Sequence, residues 1–164
     1  MSSSRSPHPA SMPPGVMSPG TYLRKRREAA GLDLRTTAAR LAGLPWVLRA
    51  PSERDVGLLA ARLGLVEADR WDLTRPQLDL VRTVIRIDPQ VYEQLVQLHQ
   101  AGPDSGLPIP SICRACGCTW FVACVDDDGH ACSWASAAED LCTACAPAAQ
   151  PDWPDAPQPE GEAA

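Results

Sequence analysis

Apolar side chains recur at helical spacing through the first hundred residues, between residue types that are typical of helix starts and stops. The first helix is predicted to begin at Pro19, with Ser18 as its N-cap, and to end before Gly31. The second is predicted from Leu34 to Leu41 with Asp33 as its cap, because Leu34, Ala38 and Leu41 share one face. These two segments predict a pair of short amphipathic helices.

The same signals predict three more helices before residue 102. Ser52 caps the third, from Glu53 to Leu63, and Gly64 is its predicted stop. The fourth is predicted from Thr74 through Ile85, and the fifth from Pro89 to the glycine at 102. We therefore expect a mainly α fold whose N-terminal part is a small helical domain.

Proline and cysteine positions divide the rest of the chain. The predicted organisation is a disordered Ser/Pro-rich extension at 1–17, a helical domain at 18–101, a Pro-rich linker at 102–110, a cysteine-rich metal-binding module at 111–146, and a disordered acidic Pro-rich tail at 147–164. Met17 precedes the first capped helix directly, so it is an alternative to Met1 as the start of translation.

All seven cysteines lie between positions 113 and 145. Cys113 and Cys116 form one CxxC turn, and Cys142 and Cys145 form another, with 25 residues between the two. Two such turns supply the four soft ligands of a tetrahedral zinc site. We predict a small, irregular module of the zinc-ribbon or knuckle type, with these four cysteines as ligands.

A second ligand set lies inside that loop: Cys118, Cys124, His130 and Cys132. With it the module would bind two zinc ions; without it the module binds one, and the inner cysteines are small buried apolar residues. An iron–sulfur cluster and a reactive, redox-sensing thiol are further alternatives. A disulfide framework fits poorly, because seven is an odd number and no signal peptide directs export.

The two halves of the chain carry opposite charge. Residues 1–86 hold 14 Lys and Arg against 8 Asp and Glu, a net charge of +6. Residues 87–164 hold one Arg against 12 acidic residues, a net charge of −11. The basic half is suited to nucleic acid and the acidic half to a protein partner. The chain shows no apolar run that could span a membrane and no catalytic motif, so we expect a cytoplasmic protein that is not an enzyme.

Two stretches resemble known proteins. Residues 22–32, YLRKRREAAGL, and 34–41, LRTTAARL, resemble the first two helices of lambda-repressor-like (Cro/C1-type) helix-turn-helix domains. The cysteine segment, C-x-x-C-x-C, then C, then C-x-W, then L-C-x-x-C, is similar to that of small phage and bacterial proteins that join such a domain to a cysteine-rich segment. The resemblance implies a DNA-binding transcription regulator with a zinc module. The predicted phosphate-contacting residues are Arg24, Lys25, Arg27, Arg35, Arg40, Arg49 and Arg54.

The link between the second and third helices departs from that family. Ten residues, 42–51, stand where the family has a tight turn, and the third helix begins with Glu53 and Asp55, which phosphate repels. We therefore expect weak or non-specific contact with the DNA backbone. The alternative is an adaptor whose helical unit and zinc module bind another protein.

Overall fold

The structure is a computed structural model that describes residues 12–13, 15–45, 50–126, 128–135 and 138–146. Its five α-helices are α1 (Pro19–Ala29), α2 (Leu34–Ala42), α3 (Glu53–Glu67), α4 (Arg75–Val81) and α5 (Pro89–Ala101). In the described residues, extended pairing consists of two isolated antiparallel bridges, Val125–Ala131 and Trp134–Cys142. The predicted mainly α fold is confirmed. Arg49, the extension up to residue 11 and the tail at 147–164 lie outside the described residues.

Short-range capping determines where the helices begin. The Ser18 hydroxyl accepts a hydrogen bond from the Thr21 N–H (3.2 Å), and the Asp33 carboxylate accepts one from the Thr36 N–H (2.6 Å). At α5 the Asp88 carboxylate accepts bonds from two N–H groups of the first turn, at 3.0 and 3.4 Å. The three predicted N-caps, Ser18, Asp33 and Ser52, are confirmed, since each depends on residues that are neighbours in sequence.

Two predicted helix ends are wrong. α3 does not stop at Gly64 but continues to Glu67, because Val66 reaches the core and Glu67 forms a buried ion pair. α4 ends at Val81, and the chain turns before Ile85, which is still buried at 1% exposure. In both places a tertiary contact decided the outcome, whereas the prediction used only the local pattern.

One hydrophobic core joins all five helices. It contains Tyr22, Leu23, Leu32, Ala38, Leu41, Ala42, Val56, Leu63, Val66, Leu78, Val81, Ile85, Ile87, Val91, Tyr92, Leu95 and Leu98. The Tyr22 hydroxyl accepts a bond from the Asp88 N–H (2.8 Å), and burial raises the pKa of both tyrosines well above the ordinary value. Three residues that precede the first helix, Met12, Val16 and Met17, pack against this core. Part of the predicted N-terminal extension therefore contacts the helical unit.

A buried ion pair ties α1 to the end of α3. Arg27 donates to both carboxylate oxygens of Glu67, at 2.6 and 2.8 Å, and to the Leu32 carbonyl at 2.6 Å. The two side chains are 10% and 8% exposed. The hydrogen bond to Glu67 raises the pKa of Arg27. Arg27, a predicted phosphate contact, is thus committed to the interior of the helical unit.

No helix among the described residues has both the length and the apolar character that crossing a membrane requires.

Candidate metal centre

Two knuckle turns form the frame of the cysteine module. In the first, the Cys113 N–H donates to the Cys118 carbonyl (2.9 Å) and the Gly117 N–H donates to the Cys113 carbonyl (2.8 Å). Gly117 has φ of +74°, a left-handed conformation that favours glycine. In the second turn the Cys145 N–H donates to the Cys142 carbonyl (2.9 Å). Each CxxC pair therefore folds locally into a turn that exposes sulfur and backbone N–H groups on its inner side.

Backbone pairing brings the inner cysteines to the two turns. The Cys132 N–H donates to the Cys124 carbonyl (2.8 Å) and closes the loop that contains His130. The Thr143 N–H donates to the Ser133 carbonyl (2.8 Å), which lays the second knuckle beside that loop. As a result the inner and outer cysteines share one small volume.

Six of the seven sulfur atoms fall into two groups of four, within which every pair of atoms lies within 4.8 Å. The groups are Cys113, Cys116, Cys118 and Cys142, and Cys118, Cys124, Cys132 and Cys142. The sulfurs of Cys116 and Cys142 lie 3.8 Å apart, and those of Cys118 and Cys132 lie 3.7 Å apart. Sulfurs held ~2.3 Å from a tetrahedral zinc ion are ~3.8 Å from each other. These separations therefore fit a tetrahedral metal–thiolate centre.

Backbone N–H groups point at the sulfurs. The Cys118 N–H donates to Cys116 Sγ (3.5 Å), the Cys142 N–H to Cys113 Sγ (3.4 Å) and the Cys124 N–H to Cys132 Sγ (3.2 Å). Hydrogen bonds to the charged form of a group favour that form. The turns thus stabilise the thiolate, which is the form that binds metal.

The sulfurs also perturb each other's protonation. A hydrogen bond from Cys118 lowers the pKa of Cys116 to about 3, in opposition to desolvation by burial. The bond to Cys116, together with burial, raises the pKa of Cys118, and burial raises that of Cys142. Binding of a metal ion by these cysteines would therefore be coupled to the release of protons.

The chemistry and burial of the donors fit a metal ion. Cys113, Cys118 and Cys142 are at most 1% exposed, and every donor in the two groups is a sulfur. Such a set selects zinc or an iron–sulfur cluster over hard cations. The prediction that this segment gathers cysteines that could hold a metal ion is confirmed; the identity of the metal stays a prediction.

The grouping differs from the predicted ligand sets. Cys118 completes the group that contains Cys113, Cys116 and Cys142, whereas Cys145 packs at the edge of the cluster and belongs to neither group of four. Which cysteines bind an ion stays a prediction. His130 belongs to neither group; its side chain is 79% exposed, and its Nδ1 is 3.5 Å from the Asp126 carboxylate.

The cysteine module packs against α1. The Lys25 ammonium donates to the Ala115 carbonyl at 3.1 Å. Arg26 is only 4% exposed; its guanidinium donates to the Arg86 carbonyl (2.7 Å) and the Cys116 carbonyl (3.5 Å), and lies 3.9 Å from Cys124 Sγ. A Cβ atom on Gly117 would lie 3.1 Å from the Arg26 side chain. Part of the basic run of α1 thus binds the module rather than facing solvent.

Sequence reasoning missed the role of Arg26. A signal was present, because position 26 follows Tyr22 and Leu23 by one helical turn and so shares their buried face. An arginine there is costly unless its polar atoms are satisfied; the Arg86 carbonyl, the Cys116 carbonyl and Cys124 Sγ, which come from distant parts of the chain, satisfy them.

The six predicted phosphate-contacting residues that the structure describes fall into three classes. Arg24, Arg40 and Arg54 are exposed. Arg35 is exposed and ion-paired with Glu53 at the start of α3. Lys25 and Arg27 are engaged as described above, and Arg49 lies outside the described residues.

Comparisons with known proteins found no match: no protein-family model, no curated protein and no solved structure matches this chain.

Proposed function

We propose that this protein is a DNA-binding regulator of helix-turn-helix type, in which a metal–thiolate module is a structural support. The observation that carries the proposal is the meeting of the starts of α2 and α3. Arg35, in the first turn of α2, is ion-paired with Glu53, the first residue of α3, and Arg54 follows directly. Two capped helix N-termini and two arginines therefore share one edge of the molecule.

That edge has the physical character of a phosphate contact. Helix N-termini present unpaired N–H groups and partial positive charge, which favour bound phosphate. Arg35 and Arg54 add full charges, whereas Glu53 and Asp55 oppose them. The balance supports backbone contact of modest strength; reading of base edges would need polar side chains that the start of α3 offers only sparsely.

The metal centre has a structural role in this proposal. All-thiolate groups leave no open position for substrate, which is typical of structural rather than catalytic zinc. The module has few buried apolar residues of its own, and the ion would replace the missing burial. Zinc is the ion we propose, and an iron–sulfur cluster is the alternative. The acidic half of the chain is suited to a protein partner.

The test is a salt titration of binding to a mixed-sequence DNA duplex, followed by fluorescence anisotropy. Arg54→Ala should lower the affinity and reduce the slope of log K against log salt by ~0.9, the value expected per phosphate contact. Arg70→Ala, an exposed arginine beyond the other end of α3, is the matched control and should leave the slope unchanged. Glu53→Gln should raise the affinity, because it removes a charge that repels phosphate. If the metal-loaded protein does not bind the duplex at low salt, the DNA-binding proposal fails.

A second candidate function, the adaptor, is favoured by an apolar groove beside α3 and α4. Trp71 lines it and is 52% exposed; Leu58 and Leu65 of α3 are also exposed, at 57% and 44%. The neighbouring lining residues are Leu59, Leu63, Leu73, Leu80 and Val81. A partner retained from cell extract by the wild type and by Trp120→Ala, but lost with Trp71→Ala, would support this function; Trp120 is 70% exposed in the cysteine module.

A further inference from the structure

The two sulfur groups are not separate. Cys118 and Cys142 belong to both, so six cysteines form two tetrads that share one pair of sulfurs. Two independent tetrahedral ions would need eight donors, whereas two ions that share a pair of bridging thiolates need six. We propose that the module binds two zinc ions as a binuclear cluster, with Cys118 and Cys142 as bridging ligands. This inference rests on the metal centre of the proposed function and adds its nuclearity and ligand assignment.

Burial distinguishes the shared sulfurs from most of the others. Cys118 and Cys142 are each 1% exposed, whereas Cys116, Cys124 and Cys132 are partly exposed. A bridging thiolate lies between two ions and is surrounded by the cluster, so buried sulfurs suit that position; Cys113 is buried as well, at 0% exposure, but belongs to only one of the two groups. The terminal ligands would be Cys113 and Cys116 on one ion and Cys124 and Cys132 on the other; the sulfurs of Cys116 and Cys124, which lie 3.3 Å apart, would have to separate when the two ions bind.

Charge compensation also fits six thiolates. Six thiolates and two divalent ions leave two negative charges, which a partly buried cluster must balance with cations or hydrogen bonds. The Arg26 guanidinium, 3.9 Å from Cys124 Sγ, supplies one positive charge. The three N–H donors to the sulfurs of Cys113, Cys116 and Cys132 supply the rest of the compensation.

The shared arrangement makes Cys145 and His130 dispensable. Two nested four-ligand sites would instead require both residues, Cys145 for the outer ion and His130 for the inner one. In the structure Cys145 lies outside both tetrads, and the His130 side chain is largely exposed. These two residues therefore separate the bridged arrangement from the nested one.

The decisive experiment is native mass spectrometry of the full chain, reduced and loaded with zinc. The wild type, Cys145→Ser and His130→Ala should each carry two ions. Cys132→Ser should lose one ion, whereas Cys118→Ser should lose both, because its sulfur serves the two ions. A wild type with a single ion, an iron–sulfur absorption band, or a Cys145→Ser protein that loses an ion would each overturn the proposal.

A second measurement covers the case in which Cys118→Ser fails to fold. The wild-type protein is loaded with an NMR-active isotope of cadmium, which binds thiolates as zinc does, and couplings from cysteine β-protons to cadmium are recorded. Cys118 and Cys142 should each couple to two cadmium signals, and the terminal cysteines to one. Coupling of every cysteine to one signal only would refute bridging. DNA binding is measured separately, so its failure would leave these outcomes unaffected.

Discussion

Replacement of Arg26 by methionine should weaken metal binding, although Arg26 is not itself a ligand. Methionine keeps the length and apolar stem of the side chain but removes the charge and all hydrogen-bond donors. The Arg26 guanidinium donates hydrogen bonds to the Arg86 carbonyl (2.7 Å) and the Cys116 carbonyl (3.5 Å), and it lies 3.9 Å from Cys124 Sγ. One side chain therefore connects α1, the segment before α5 and the thiolate cluster.

The size of the effect follows from these contacts. A hydrogen bond from a charged donor contributes about 1.5–3 kcal/mol. Opposite unit charges ~4 Å apart attract by at most ~4 kcal/mol near a protein surface, and this attraction is fully present only when the cysteines are thiolates. Groups that support metal ligands typically change affinity by ~10–100-fold. We therefore expect a ~10–100-fold rise in the dissociation constant of the metal for Arg26→Met.

The assay is competition between the protein and a chromophoric zinc chelator. Arg24→Met is the matched control, because Arg24 is exposed on the same helix, and it should bind metal within about twofold of the wild type. Arg26→Lys, which keeps the charge but loses the planar fork, should fall between the two. If Arg26→Met and Arg24→Met bind zinc equally tightly, the cluster does not depend on this cation and the reasoning is refuted.

Three further predictions concern the helical unit and its junction with the module. Glu67→Ala leaves the buried Arg27 guanidinium without its counterion and should lower the free energy of unfolding by ~3–5 kcal/mol in urea; a loss under about 1 kcal/mol would contradict the buried pair. Burial raises the pKa of Tyr22 and Tyr92, the only tyrosines, above 10.0, so the fold favours their neutral forms. This contribution to stability is complete below pH 10 and is lost as the pH rises further. Tyrosinate absorbance should therefore appear only above pH 10, together with loss of the helical circular dichroism signal. Ionisation of the tyrosines near pH 10 in a folded protein would refute this prediction. Gly117→Ala places a side chain at φ +74° and against α1, so it should cost ~1–2 kcal/mol of stability and weaken zinc binding; an unchanged unfolding curve would show that the turn is not constrained there.

The metal centre illustrates where sequence spacing stops being informative. The CxxC pairs identified a cluster of metal-ligating cysteines, because each pair is a local turn with a fixed sulfur geometry. The choice of four sulfurs around one point depends on how the second knuckle pairs with the loop at 124–132, which is a contact between distant residues. Spacing therefore predicted Cys145 as a ligand, whereas the structure groups the Cys118 sulfur with those of Cys113, Cys116 and Cys142.

The basic run of α1 shows the same limit. Charge alone predicted that Lys25 and Arg27 face phosphate. Helical periodicity could have placed Arg26 and Arg27 on the buried face, but not their partners, since Glu67 and the Cys116 carbonyl come from distant segments. Arg24, Arg40 and Arg54, which the structure leaves exposed, remain candidates for the predicted DNA contact.

By itself the sequence determined the helix starts and the two cysteine turns, because capping and knuckle geometry involve residues only a few positions apart. Tertiary structure alone decided that α3 continues past Gly64, that Arg27 forms a buried ion pair, that the Arg26 guanidinium lies 3.9 Å from Cys124 Sγ, and that Cys118 and Cys142 belong to both groups of sulfurs. The physical reason is the sequence separation of the partners. A capping side chain bonds to an N–H group within one helical turn, whereas the partners of a buried charge or of a clustered sulfur come from distant segments that only folding brings together.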